Sequence, residues 1–311
     1  MGNDRRADAT VVCIGGANVD RKARCMGPAR LRTSNPVRMS ETRGGVARNV
    51  AENLGRLGCG PLLISCVGDD GDGERLLAET SAQGVNVRAA LRVAGARTGT
   101  YTAVLEPSGE LVIALNEMEV AELLTPAAVD ARWEHLAAAR LIFADTNLPP
   151  ETLAYLIERC GREGLLLVVD PVSAIKAQRL PKRLDGVSAI LPDQLEAEAL
   201  AGMGAPSDGA WEPLAARIRA RGAQAVVISL GERGLYYTAD DTAFERPSVA
   251  RAGDVVDVTG AGDALAAGFL FGLLRGETAE RCCELGLAAA ALTVRSAHSV
   301  APELTPRALE G

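Results

Sequence analysis

Residues 257–263 carry the residue types that could bind and move a phosphate group. They read Asp-Val-Thr-Gly-Ala-Gly-Asp and precede an apolar run, residues 264–274, that is typical of a buried helix. Small residues let a backbone approach a ligand closely, and the first N–H groups of a helix have no partner inside the helix. We therefore predict that the amides of Gly260, Ala261 and Gly262 bind negatively charged oxygen.

The last residue of this segment, Asp263, is a candidate general base. A carboxylate repels phosphate, so at a phosphate-binding helix start it is useful only as a base or as a metal ligand. We predict that Asp263 accepts the proton of an acceptor hydroxyl while the neighbouring amides stabilise the transferring charge. Taken alone, the segment fits equally well an ordinary aspartate N-cap behind a glycine turn.

Three competing motifs fail when they are compared with the sequence. No GxxxxGK[ST] segment occurs, which excludes a P-loop. The GxGxx start at Gly260 has Leu265 where a dinucleotide-binding loop needs a small residue. Ser229 has Val227 where a nucleophile elbow needs glycine. The dehydrogenase and serine hydrolase classes are therefore excluded.

The composition limits how phosphate could be held. The 311-residue chain has a formal net charge of −7, and of its 33 basic residues only Lys22, Lys176 and Lys182 are lysines. Nucleic-acid binders normally present a basic surface, so we expect no nucleic acid polymer as a partner. Phosphate must then be bound mainly by arginine, peptide N–H groups or a metal ion.

Cysteine usage and apolar runs indicate the compartment. The seven cysteines are an odd number and form no CxxC pair, which fits neither a disulfide framework nor a zinc site. The chain has only two histidines, His135 and His298, which are too few for a histidine-rich metal centre and argue against a His-based catalytic triad. No apolar run approaches the ~20 residues of a membrane span, and no signal peptide is recognisable. We expect a cytoplasmic protein with no membrane partner.

Alternating strands and helices predict a doubly wound α/β fold, with a mostly parallel sheet and helices on both faces. Short apolar runs indicate strands at residues 11–14, 62–67, near Val87, 141–144, 165–169, 189–191 and 225–229. Apolar residues at helical spacing indicate helices at residues 46–57, 73–83, 151–160, 195–200, 211–220, 264–274 and 279–294.

One region interrupts this alternation. Residues 99–106 and 110–116 flank the turn Pro-Ser-Gly at residues 107–109, which is typical of a β-hairpin. We predict a small β lid made of residues 20–40 and 94–118, inserted discontinuously into an α/β core of residues 1–19, 41–93 and 119–311.

Four sequence blocks, in this order, carry a resemblance to a known family. They are GGANVD at residues 15–20, RGGVARNVAENLGRLG at 43–58, PDQLEAEAL at 192–200 and DVTGAGDALAAGF at 257–269. With them, the chain resembles the ribokinase-like (PfkB) carbohydrate kinases over nearly its whole length. The resemblance implies a ribokinase-like fold, ATP and Mg²⁺ as cofactors, and phosphorylation of a small sugar or nucleoside.

The resemblance also implies roles for residues that match the family's motifs. Sugar contacts are expected from Asn18, Asp20, Gly44, Gly45, Asn49 and Asn147. Nucleotide or phosphate contacts are expected from Lys176, Asp193, Ser229, Gly231, Gly234 and Thr259. Glu196 is expected to organise Mg²⁺ through water, and Asp193 stands where the family usually has Asn. Asp257 is expected to help bind a monovalent cation, K⁺.

Within the family, four segments are similar to the pseudouridine kinases: residues 15–25, 34–37, 44–54 and 170–176. This similarity implies phosphorylation of the 5′-hydroxyl of a C-linked nucleoside, with its base facing the lid around residues 98–102 and Asn116. Ribose, a purine nucleoside or a hexose are alternative substrates, and a non-catalytic sugar or nucleoside sensor is the alternative class. Exposed hairpin edges also suggest a homodimer that forms through the lid.

Overall fold

The computed structural model describes residues 10–205, 209–250 and 252–310. Within these ranges the chain forms fourteen strands, numbered in chain order: β1 Val11–Ile14, β2 Asn18–Cys25, β3 Val37–Gly44, β4 Leu62–Ile64, β5 Cys66–Gly68, β6 Leu91–Val93, β7 Thr100–Leu105, β8 Leu111–Glu117, β9 Leu141–Asp145, β10 Leu167–Asp170, β11 Ala189–Ile190, β12 Ala225–Ser229, β13 Leu235–Ala239 and β14 Thr242–Arg246.

Ten α-helices lie in the same described ranges: α1 Val46–Arg56, α2 Gly71–Ser81, α3 Pro126–Asp130, α4 Trp133–Ala138, α5 Pro150–Glu163, α6 Gln194–Ala201, α7 Glu212–Ala220, α8 Ala261–Arg275, α9 Ala279–Val294 and α10 Pro306–Glu310. Among the residues that the structure describes, no helix has both the length and the apolar character needed to cross a bilayer.

The central sheet has eight strands in the order β14-β13-β12-β11-β10-β9-β1-β4. The six strands from β12 to β4 run parallel, and β13 and β14 are added antiparallel at one edge. Alternate residues of β1 enter two separate apolar cores: Val12 and Ile14 join the one that contains α5, and Val11 and Cys13 join the one that contains α8 and α9. Helices thus cover both faces, and the predicted doubly wound α/β fold is confirmed.

A separate four-stranded sheet has the order β3-β2-β7-β8. The predicted hairpin is present as the antiparallel pair β7 and β8, and β2 pairs antiparallel with β3 so that Asn18 lies opposite Gly44. Because β2 follows β1 after only residues 15–17, this sheet begins at the carboxyl edge of the central sheet. In this sheet β2 begins at residue 18 and β3 ends at residue 44, whereas the predicted lid segment covers residues 20–40.

Two strand predictions are wrong in detail. Residues 62–67 form two strands, β4 and β5, which are separated at Ser65, where the hydroxyl donates to the carbonyl of Gly15 at 2.6 Å. In the described part of the chain Val87 belongs to no strand; its neighbour Asn86 makes a single bridge to Leu62, and the nearby strand is β6.

The antiparallel edge formed by β13 and β14 is absent from the sequence prediction. The chain reverses there at Asp240, whose φ of 45° lies in the left-handed region. Aspartate tolerates this conformation better than most residues, but it signals a hairpin turn far less strongly than glycine does. The hairpin therefore carried no clear turn signal.

Candidate active site

The phosphate-binding turn predicted at residues 257–263 leads into α8, and its last three residues form the first turn of that helix. Gly260 caps the helix with a φ of 81°, and a Cβ at this position would lie 2.0 Å from the carbonyl oxygen of Ser299. Only glycine fits both the space and the conformation. A Cβ at Gly262 would meet no atom within 4 Å, so this side of the turn is open to a ligand. The amide of Ala261 donates to the carbonyl of Val258 at 3.2 Å.

Asp263 lies in the first turn of α8 and is only 8% exposed. Burial raises the pKa of its carboxyl group to about 7, although a hydrogen bond from Asn49 and the charge of Arg48 lower it. Asn49 Nδ2 donates to Oδ2 of Asp263 at 2.6 Å. A carboxylate with a pKa near the working pH is well matched to accepting a proton and later releasing it.

Asp263 opens into an acidic cleft at the carboxyl edge of the central sheet. The residues lining it are Val46, Asp170, Val172, Leu191, Asp193, Glu196, Val227, Ser229, Gly262, Asp263 and Leu265. Burial raises the pKa of Glu196 to about 7, with the charges of Asp193 and Asp263 acting in the same direction. Burial and the charges of Glu196 and Asp263 also raise the pKa of Asp170 well above its usual range. The lining of the cleft, as the structure describes it, therefore contains four acidic side chains and no basic side chain that would neutralise them.

Asp193 and Glu196 form a reciprocal cap at the start of α6. Oδ1 of Asp193 accepts from the amide of Glu196, and Oε2 of Glu196 accepts from the amide of Asp193, both at 2.8 Å. Within the described ranges, no hydrogen bond occupies the other oxygen of either carboxylate. Such hard oxygen donors suit Mg²⁺, which keeps most of its water shell. Among the described residues no three His, Cys, Asp or Glu side chains are grouped to hold a metal ion directly.

An apolar cavity of ≈ 420 Å³ adjoins the acidic cleft. The residues that line it include three from the predicted nucleotide loop, Ser229, Gly231 and Gly234, together with Val258, Leu287, Ala290 and Val294. Gly234 has a φ of 101°, and a Cβ there would lie 1.9 Å from the carbonyl of Arg246. Ser229, Gly262 and Leu265 line both spaces, so the two meet beside the start of α8.

The predicted sugar-binding residues gather where β1 ends. Nδ2 of Asn18 donates to Oδ1 of Asp20 at 2.6 Å, and a Cβ at Gly44 would lie 2.3 Å from Asp20. Gly45 has a φ of 96°, with Gly16 O only 2.4 Å from the position of a Cβ. At Gly45 the start of α1 is thus packed backbone against backbone on the loop after β1, which a side chain would prevent. A side chain at Gly44 would instead collide with the carboxylate of Asp20.

Asp145, the last residue of β9, is a site residue that sequence reasoning missed. It is fully buried, and its carboxylate accepts from the amides of Gly16 at 3.0 Å, Ala47 at 2.8 Å and Asn147 at 2.9 Å. Burial raises the pKa of Asp145, although these three hydrogen bonds lower it. The carboxylate ties together three segments that carry predicted ligands. A charged residue that ends an otherwise apolar strand, LIFAD, was the available signal.

Lys176 contacts a predicted sugar-binding residue. Its ammonium group donates to Oδ1 of Asn147, so a predicted phosphate contact and a predicted sugar contact are bonded to each other. Burial lowers the pKa of Lys176, and the charge of Asp145 opposes this shift. Close by, Val172 has a φ of 64° although it is β-branched, and its amide donates to Oδ1 of Asp170 at 2.8 Å. Strain of this kind is concentrated at functional sites.

Other predicted residues lie away from Asp263. Oδ1 of Asp257 accepts from the amide and the hydroxyl of Thr259, at 2.9 and 2.7 Å, and its Oδ2 lies 3.3 Å from the ammonium of Lys22 on β2. Burial raises the pKa of Asp257, but these partners outweigh it and hold that pKa below the usual value. Asn116 is exposed on β8, opposite Tyr101, which in turn lies opposite Asp20.

Comparison with known proteins points to one family. Residues 8–306 match the model of a family described as pfkB family carbohydrate kinase. Pseudouridine kinase of Escherichia coli (strain K12) is 35% identical over 83% of this chain and 82% of its own length, and guanosine-inosine kinase of Exiguobacterium acetylicum is 28% identical over 94% and 97%. A solved carbohydrate kinase from Agrobacterium tumefaciens superposes with a TM-score of 0.83 at 30% identity, covering 96% of this chain and 95% of that one.

Proposed function

Since this chain belongs to the pfkB family of carbohydrate kinases, we propose that it transfers the γ-phosphoryl group of ATP to the 5′-hydroxyl of pseudouridine. Family membership makes the chain a sugar or nucleoside kinase; the acceptor is the part that we propose. One observation carries the chemistry: Asp263, with a pKa of about 7, lines the acidic cleft directly after Gly262, which lines both the cleft and the apolar cavity.

The proposed reaction is a single displacement. Asp263 takes the hydroxyl proton on Oδ1 as the hydroxyl oxygen forms a bond to the γ-phosphorus. The bond from that phosphorus to the bridging oxygen breaks, and ADP leaves with the electron pair. Because phosphoryl transfer passes through a loose transition state, positioning and electrostatics should supply most of the acceleration. The open space beside Gly262 supports a role for the start of α8 in stabilising the γ-phosphoryl oxygens.

Metal ions complete the proposal. Mg²⁺ would neutralise phosphate charge when ATP is bound, and the free oxygens of Asp193 and Glu196 are suited to hold it through water. We also propose that K⁺ binds beside Asp257. Lys22 competes for that carboxylate, so activation by K⁺ should increase in a Lys22→Met variant. Turnover compared in potassium and in tetramethylammonium chloride, with and without this substitution, tests the point.

The small sheet supports a nucleoside rather than a free sugar as the acceptor, and we propose that it acts as the lid. Lys22 and Asp20 lie on one face of β2 because side chains alternate along a strand, and Lys22 reaches Asp257 of the catalytic turn. This face therefore looks toward the site. Tyr101 and Asn116 continue the row that starts at Asp20. A ring for stacking and an amide for hydrogen bonds suit a pyrimidine base.

A substrate panel tests the proposed acceptor. ADP release would be measured with pseudouridine, uridine, guanosine, ribose and fructose at equal concentrations. We expect kcat/KM to be highest for pseudouridine. Guanosine as the best acceptor would instead favour the purine nucleoside kinases, to which the similarity with guanosine-inosine kinase points. Tight binding of a nucleoside without ADP release from any acceptor would indicate a sensor.

We propose a homodimer that forms through the lid. On β8, Leu111, Ile113 and Leu115 alternate with less exposed residues and are each more than half exposed, and β8 is an edge strand of its sheet. Exposed apolar edge strands pair readily with a second copy. Light scattering of the wild type and of an Ile113→Lys variant tests this: we expect a dimer and a monomer, and a monomeric wild type would contradict the proposal.

A further inference from the structure

Arg48 is a fully buried cation beside the site, and the chemistry proposed above does not use it. Its side chain is 1% exposed and lies on α1, next to Asn49. Burying a guanidinium costs free energy unless every part of it is paired. Such a residue needs a structural or functional reason.

The guanidinium of Arg48 is paired on all three of its nitrogens. Nε donates to the carbonyl of Gly44 at 3.0 Å, and Nη2 donates to the carbonyl of Arg43 at 3.0 Å. Nη1 donates to Glu52, and Nη2 also donates to Oδ1 of Asn49. One side chain thus fixes the glycine segment that contacts Asp20 and the amide that contacts Asp263.

These contacts determine which way the amide of Asn49 points. A guanidinium can only donate hydrogen bonds, so the atom of Asn49 that faces Arg48 must be the oxygen. The amide nitrogen is then directed to Asp263, where Nδ2 meets Oδ2 at 2.6 Å. With Oδ2 engaged in this way, Oδ1 is the oxygen left for an acceptor hydroxyl.

We infer that Arg48 is a positioning residue: it orients Asn49 so that Asn49 holds Oδ2 of Asp263 and leaves Oδ1 as the proton acceptor. This inference rests on the proposed kinase reaction. It adds a residue that acts through Asn49 without touching the substrate, and it assigns the base function to one carboxylate oxygen.

The charges around Asp263 support the geometry. Burial has the largest effect on the pKa of Asp263 and raises it. The positive charge of Arg48 lowers this pKa, and the negative charges of Asp145 and Asp20 raise it. Arg48 itself is neutralised by Glu52, which also pairs with Arg43 and Arg56. The charged groups that face Asp263 are Arg48 from α1, Asp20 from β2, Asp145 from β9, Asp170 from β10 and Glu196 from α6.

The test compares two arginines that share Glu52. In the double variant Arg48→Met/Glu52→Gln both fully buried charges are removed together, so neither is left buried without the other; Arg43 and Arg56, which lose Glu52 as a partner, are partly exposed. Arg56→Met is the matched control, because Arg56 pairs with Glu52 at 3.2 Å and does not contact Asn49. We expect the double variant to lose roughly 10-fold or more in kcat through a displaced base, with the KM for ATP unchanged and the acid limb of the pH profile moved to higher pH. The control should resemble the wild type.

Three outcomes would overturn the inference. The first is a kcat for the double variant equal to that of Arg56→Met. The second is a kcat for the triple variant Arg48→Met/Glu52→Gln/Asp263→Asn that lies below the kcat of Asp263→Asn alone, because a residue that acts only through Asp263 has no further effect once the base is removed. The third is full activity of Arg48→Lys, which keeps the charge but not the fork of donors; this variant also replaces the double variant if that one fails to fold.

Failure of the kinase proposal itself would be recognised separately. A wild-type protein that phosphorylates no member of the substrate panel contradicts the proposed function. The positioning role is then read from a crystal structure of the double variant. We expect Asn49 Nδ2 to leave Oδ2 of Asp263, and an unchanged contact would contradict the role of Arg48.

Discussion

The two sides of the site are built in opposite ways. On the core side Asp145 is fully buried and accepts from three backbone amides, and Asp263 and Asn49 are buried and bonded to each other. On the side of the small sheet, Tyr101 and Asn116 are exposed, and Lys22 reaches the core through a single ion pair that is about a third exposed. Exposed ion pairs contribute little to stability.

This difference separates the chemistry from the choice of substrate. The groups that would move a proton and stabilise phosphate are held rigidly by the core, as preorganised catalysis requires. The groups that would contact a base are exposed on the small sheet. Substitutions on the core side should therefore change kcat, and substitutions on the sheet should change the KM for the acceptor.

The largest effect is expected for Asp263→Asn. This change keeps the size of the side chain and removes the base, so kcat should fall by about 10²- to 10⁴-fold with a much smaller change in KM. Steady-state ADP release with pseudouridine measures it. Glu198→Gln, on the same α6 helix as Glu196 but outside the cleft, serves as the control, and near-normal turnover of Asp263→Asn would remove the base from the mechanism.

Asp145→Asn should have the next largest effect. An amide presents one acceptor in place of two, so at least one of the three backbone N–H groups loses its partner, at a cost of about 1–3 kcal/mol. We expect a lower melting temperature and a loss in kcat of roughly 10- to 100-fold, since small displacements of catalytic groups are costly. Asp185→Asn, at an exposed surface pair with Arg183, is the control; equal melting curves for the two variants would contradict the role of Asp145.

The pH dependence of stability should distinguish the core from an ordinary surface. Asp263 has a pKa raised from 3.8 to about 7, so between these values the folded state binds more protons than the unfolded state. Its contribution to stability is therefore present at low pH and is lost as the pH rises through about 4 to 7.

Denaturant unfolding of the wild type and of Asp263→Asn at several pH values measures this contribution. We expect the variant to be the more stable protein at pH 8, where the wild type carries a buried charge, and the difference to shrink toward pH 4. Activity should change in the other direction, increasing as Asp263 loses its proton near pH 7. A constant difference in stability across this range would contradict the raised pKa.

The smallest effect is expected on the sheet. Tyr101→Ala should raise the KM for pseudouridine about 10-fold, because an aromatic ring stacked on a base contributes about 1–3 kcal/mol. The kcat and the KM for ATP should change little, and Tyr101→Phe should keep wild-type values. A loss confined to kcat would show that the sheet takes part in the chemistry, and the contrast between the two sides would no longer hold.

Much of this arrangement is local in sequence and could be predicted from it. The glycine turn and Asp263 lie in one short segment, and the hairpin has a Pro-Ser-Gly turn. Asp145 and Asp170 each end an apolar strand, but this signal gave them no role, because their importance arises only where the ends of β9 and β10 meet residues that are distant in the chain. Arg48 was also hidden, since arginine at a helical position normally indicates an exposed surface.

The most direct test is a crystal structure with pseudouridine and a non-hydrolysable ATP analogue. We expect the 5′-hydroxyl oxygen to lie within hydrogen-bond distance, about 2.6–3.2 Å, of Oδ1 of Asp263, with the γ-phosphate beside the turn that contains Gly260 and Gly262. A nucleoside bound with its 5′-hydroxyl away from Asp263, or phosphate oxygens remote from this turn, would contradict the assignment of Asp263 as the base.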